Sequence, residues 1–132
     1  MTTERRQKGI YIGAPACFAL DMAVRPVVQA FEALGCYVVG SALERPDWRD
    51  VDVRLMMTDD AFAREFPDAH DGLWELDPRW LLLTVAISAH LSKLTGLPVD
   101  FQFQPQTHAN TRHSGQRQAI GLTLSPRRAV DE

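Results

Sequence analysis

The sequence predicts an α/β fold, a small mixed β-sheet with helices packed against it. Apolar residues change period along the chain, from helical spacing over Val24, Val27, Val28, Phe31 and Leu34 to strand-like runs further on. Those runs stand at Cys36–Ser41, Asp50–Met57 and Leu97–Gln104, and the first is rich in β-branched and aromatic residues. Between them stand the Gly, Pro, Asp and Thr residues that start and stop helices. At 132 residues the chain is one domain, 1–132, long enough to bury a core.

Residues Met1 to Lys8 are charged and polar and read as a flexible tail. Gly9 to Leu20, broken by Gly13 and Pro15, reads as a short strand or an ordered approach. Asp21 then caps a helix from Met22 to Leu34, with Pro26 in its first turn and Gly35 as its stop. Cys36–Ser41 is the first core strand, Ala42–Arg49 a loop or single helical turn, and Asp50–Met57 the second strand. Thr58 caps a short helix that Pro67 ends.

Asp77 and Pro78 open the longest helix, and Gly96 closes it. Its stretch Leu81–Leu94 is apolar nearly all round, so the sequence predicts a well-buried helix across the sheet. Leu97–Gln104 is the third core strand. From 105 to 117 the chain is polar and reads as a loop, with a strand expected at Ala119–Leu124.

The chemistry concentrates around the second strand. In Asp50-Val51-Asp52-Val53 the two acids share one strand face and the valines turn to the core. Side-by-side carboxylates repel unless something positive lies between them. A hard divalent cation does this, taking its remaining ligands from phosphates and water. Asp100 adds a third acid inside an apolar strand, and Gly40-Ser41 precedes them all at the end of the first strand. The plainer reading makes Asp50 and Asp52 solvated edge residues, Asp100 a capping or arginine-paired acid, and Gly40-Ser41 a simple turn.

This arrangement resembles the signature of the DNA polymerase β-like nucleotidyltransferase superfamily: an apolar residue, Gly, Gly or Ser, a spacer, then acid–apolar–acid–apolar. Here it is Val39-Gly40-Ser41, the connector Ala42–Arg49, and Asp50-Val51-Asp52-Val53, with Asp100 where such proteins carry a third acid on a later strand. The resemblance spans roughly Val24 to Gln104; the connector is slightly short for the family, and the third-acid spacing is loose in it. It implies a minimal nucleotidyltransferase core. It also implies transfer of a nucleoside monophosphate from a nucleoside triphosphate to a hydroxyl acceptor, with Mg²⁺ or Mn²⁺ held by Asp50, Asp52 and Asp100. Gly40 and Ser41 would then hold terminal phosphates, and Arg54, Arg112 or Arg117 would neutralise the leaving pyrophosphate. The polar stretch with Asn110, Arg112 and Arg117 has no counterpart in the family and is expected, from its polarity alone, to contact phosphate or acceptor. The acceptor is left open among protein, RNA and small molecules; short members of toxin–antitoxin pairs modify a partner protein.

Composition narrows the alternatives. A net charge of −3 argues against a dedicated nucleic-acid binder. Cys17 and Cys36 lack metal-ligand spacing and read as buried free thiols, which with the absence of a secretory signal leads to the expectation of a cytoplasmic protein without a membrane partner. His70 and His90 read as surface and helix residues. Trp48 suits either packing or stacking on a base. Two other functions stay open: a non-catalytic nucleotide- or partner-binding module of the same fold, and a metal-dependent nuclease.

Overall fold

A computed structural model describes residues 10–70 and 72–122; the proposed tail and the end of the expected last strand lie outside them. The chain runs α1 (Ala14–Ala30), β1 (Gly35–Val39), a 3₁₀ turn (Gly40–Leu43), β2 (Val51–Met57) and α2 (Asp59–Glu65). A second 3₁₀ turn (Trp74–Leu76) leads to α3 (Pro78–Thr95), β3 (Val99–Pro105), α4 (Gln106–Arg112) and β4 (Gln118–Ile120). The strands form one mixed sheet in the order β3-β2-β1-β4. β1 is antiparallel to β2 and β4, whereas β2 and β3 are parallel. The expected α/β class is therefore the observed one.

Alternation sets the two faces of the sheet. Val51, Val53, Leu55, Val99, Phe101 and Phe103 are buried on one side with Cys36, Val38 and the α1 residues Leu20, Val24 and Val27. Phe103 lies at the centre of this core, with ring contacts to Phe31 at 4.8 Å, Phe66 at 5.0 Å and Phe101 at 5.0 Å. Burial lifts the Cys36 thiol to about 12, which keeps it protonated and inert. The other face carries Asp52, Arg54 and Met56 on β2 opposite Asp100, Gln102 and Gln104 on β3.

β3 is an edge strand, and α3 satisfies its outward backbone groups. The N–H groups of Phe101 and Val99 donate to Ser88 Oγ and Ser92 Oγ, both at 2.9 Å, and Trp80 Nε1 donates to the Phe103 carbonyl at 3.2 Å. These contacts close an edge that would otherwise template another strand. Buried Asp77 fixes the helix start by accepting from the N–H groups of Arg79 and Trp80, and it also ties down the Asp68 N–H. Burial alone would raise its carboxyl, but these three bonds and the Arg79 charge outweigh burial and hold it low.

Several expectations are corrected. The first helix begins at Ala14 with Pro15 in its opening turn, so no strand occupies the described residues 10–20 and Pro26 is interior. Met22 and Pro26 are both exposed, which places the lost backbone bond on the solvent side. Asp21 caps nothing there; it pairs with Arg25 and accepts from Gly121 N–H at 2.7 Å, fastening the end of β4 to α1. Gly35 is the first residue of β1 and does not stop the helix.

α3 is also not buried all round: Trp80, Thr84 and Leu91 face inward, while Leu81, Leu82 and Val85 are exposed. Finally, the polar stretch 105–117 is not a loop. Its first half is the helix α4, whose Ala109 is buried and whose Thr107 donates from backbone and hydroxyl to Asp59.

Candidate functional site

The β2–β3 register makes Asp52 and Asp100 direct Cα partners on parallel strands, which puts their backbones about 4.8 Å apart with both side chains on one face. Asp50 stands just before β2 and is exposed. The β1–β2 pairing sets Val39 opposite Asp52, so the residue leaving β1 must pass the Asp52 carboxylate. That residue is Gly40, at φ 80°. A β-carbon there would stand 2.6 Å from Asp52 Oδ2. Glycine is required twice over, for the left-handed backbone and for the space. Ser41 follows in the 3₁₀ turn, its carbonyl accepting from the N–H groups of Glu44 and Arg45.

Burial pushes the Asp52 carboxyl above its ordinary range; Arg54 pulls it back, and Asp100 and then Asp50 push it up again. The positive charge beside these acids comes from the chain itself. Arg54 Nη2 lies 3.5 Å from Asp100 Oδ2, and its Nη1 donates to the carbonyls of Asp100 at 2.7 Å and Val53 at 3.1 Å. The guanidinium is 11% exposed and Asp100 is 48% exposed. Among the described residues no group of three or more His, Cys, Asp or Glu is arranged to hold a metal ion.

Arg54 also lines a cavity of about 310 Å³ between the sheet face and α4, with Gln102, Gln104, His108, Arg112 and His113. The three acids do not line it. His113 is held down to about 4, first by burial and then by Arg54, Arg112, Arg117 and His108; burial followed by Arg112 lowers His108. Both imidazoles are therefore neutral at physiological pH. Trp74 forms the aromatic wall, 4.6 Å from the His108 ring.

The remaining candidates divide. Arg112 faces this cavity. Arg117 instead fastens the end of α4, donating to the carbonyls of His113 and Ala109 and to Asn110 Oδ1, with its guanidinium 5.4 Å from the Tyr37 ring centroid. Arg117 and Asn110 are thus paired with each other. Trp48 packs, its Nε1 donating to the Tyr11 carbonyl at 2.9 Å.

Gln102 and Gln104 were not candidates from the sequence; His108 and His113 belong to the polar stretch 105–117, whose many donors leave a functional and an inert role equally open. The signal for the first two was present in the period-two run Asp100-x-Gln102-x-Gln104, which puts all three on the Asp52 face. His108 and His113 reach that face only because α4 folds back over it. No helix among the described residues is long and apolar enough to cross a membrane. Comparison with protein-family models, with curated proteins and with solved structures returned no match to this chain.

Proposed function

We propose that the protein is a metal-dependent nucleotidyltransferase that moves a nucleoside monophosphate from a nucleoside triphosphate to a hydroxyl acceptor. The single observation that carries this reading is the pairing of Asp52 with Asp100 beside the left-handed Gly40. Carboxylate oxygens are the donors that Mg²⁺ and Mn²⁺ prefer. A carboxyl raised by burial and by two neighbouring acids gains most from added positive charge. In this reading Asp52 and Asp100, with Asp50 just before β2, would hold a hard divalent cation, although among the described residues they do not already form a three-ligand group. Such a cation, when bound, would neutralise the triphosphate and stabilise charge on the oxygens that change partners.

In this reading the tight turn at Gly40 and Ser41 lets the backbone approach the terminal phosphates. Half-exposed Asp100 accepts the proton of the acceptor hydroxyl. The acceptor oxygen bonds to the α-phosphorus as the bond to the β-phosphate oxygen breaks, and pyrophosphate leaves. The test is calorimetric titration of each nucleoside triphosphate with Mg²⁺ and with chelator. Affinity should require the metal and be lost in Asp52→Asn; equal affinity in both media would overturn the proposal.

A second reading has its own support. Arg54 already neutralises Asp100, an arrangement suited to a nucleotide- or partner-binding module without turnover. Label transfer from α-³²P-labelled triphosphates to protein, RNA or metabolite fractions separates the two.

A further inference from the structure

We infer that the cavity between the sheet and α4 is a binding site for a small phosphate monoester, separate from the three acids. Its wall brings two guanidiniums from unrelated elements to one space, Arg54 from β2 and Arg112 from α4. Arg112 offers a guanidinium fork to phosphate oxygens, while Arg54, whose η-nitrogens are engaged by Asp100 and by two carbonyls, adds its charge and its Nε. Arg54 Nε and His113 Nε2 are buried without a hydrogen-bond partner, and an unmade bond at such atoms is costly. An anion accepting from them would remove that cost.

The same cavity offers acceptors. Gln104 is 3% exposed and its Oε1 is also unpartnered, and exposed Glu75 lines the space. A bare phosphate leaves these two unmatched, whereas a monoester carrying hydroxyl groups would donate to them. At about 310 Å³ the cavity suits a ligand of modest size, and Trp74 supplies an apolar wall for its carbon frame.

The site does not depend on the nucleotidyltransferase reading, and the test keeps the two apart. Glycerol 3-phosphate, inorganic phosphate and acetate are titrated calorimetrically in chelator, against wild type, Arg112→Ala, Asp52→Asn and Lys93→Ala. Arg112 is exposed, so its truncation leaves the fold intact; Lys93 is an exposed cation on α3 that does not line the cavity.

Glycerol 3-phosphate should bind without metal and more tightly than inorganic phosphate or acetate. Binding should weaken about tenfold in Arg112→Ala, be unchanged in Lys93→Ala, and persist in Asp52→Asn. Acetate binding as tightly as the phosphates would overturn the phosphate assignment. Equal weakening by Lys93→Ala would reduce the effect to diffuse surface attraction, and no binding at all would remove the site. Loss in Asp52→Asn would assign phosphate to the acids instead. Failure of metal-dependent triphosphate binding with these results intact would sink only the transferase.

Discussion

The backbone of Gly40 runs against the carboxylate of Asp52, so close that a β-carbon at residue 40 would stand 2.6 Å from Oδ2. Gly40→Ala therefore meets two penalties, the left-handed backbone at φ 80° and the displacement of Asp52. The backbone part is about 1–2 kcal/mol. Chemical denaturation should show at least that loss, and any metal-dependent nucleotide affinity should fall with it. A variant as stable as wild type would mean that the turn relaxes freely.

Asp52 should be a residue that costs stability. Its carboxyl is raised by burial, so folding favours the protonated form. That contribution is fully present below the unfolded value of 3.8 and is lost as pH rises through the folded pKa. Asp52→Asn should accordingly melt higher than wild type at neutral pH, with the gap closing as pH falls through the carboxylate range. Thermal unfolding across pH measures this directly. Higher stability together with lost ligand binding is the pattern of a side chain kept for function.

His113 gives the opposite slope. Its imidazole is held down to about 4 in the fold against 6.5 when free. The neutral form thus adds stability above 6.5, and that stability is lost as pH falls toward about 4. Wild type should lose more melting temperature over this interval than His113→Gln, since burial first, and then Arg54, Arg112, Arg117 and His108, disfavour the imidazolium. Parallel curves for the two proteins would contradict the cause assigned here.

Arg117 and Arg112 should separate cleanly. Arg117 donates to the His113 carbonyl just past α4, to the Ala109 carbonyl, which also accepts from the His113 N–H, and to Asn110 Oδ1. Arg117→Ala should cost about 1.5–3 kcal/mol, in the range of hydrogen bonds from charged donors. Arg112→Ala should stay within about 0.5 kcal/mol, as exposed substitutions usually do. Urea denaturation of both variants decides between a clamp and a ligand contact.

The acid strand and its partner were legible because they follow local rules. Alternation in Asp50-Val51-Asp52-Val53 separates the faces, and the same alternation continues through Asp100, Gln102 and Gln104. Asp77 and Gly96 act as the caps their types suggest. The misreadings came from tertiary effects. Pro15 was a usable signal for an early helix start, but Asp21 imitated a cap while in fact holding Gly121 and Arg25. α4 has little apolar content, and its helical state rests on Asp59 at one end and Arg117 at the other. Those partners are distant in sequence or lie beyond the helix, so periodicity carries no trace of them.

The parallel pairing of β2 with β3 has a kinetic meaning. β1 and β2 meet through a short connector, but β3 can join β2 only after the chain has passed through α2 and α3. Closing such a loop costs entropy before any strand contact repays it. The two acids that this register pairs should therefore become neighbours only when β3 docks. A collapsed intermediate holding only the β1–β2 hairpin would carry Gly40 and Asp52 without Asp100. During refolding, any ligand that needs both acids should begin to bind only in the final phase, so its binding signal would time the docking of the edge strand.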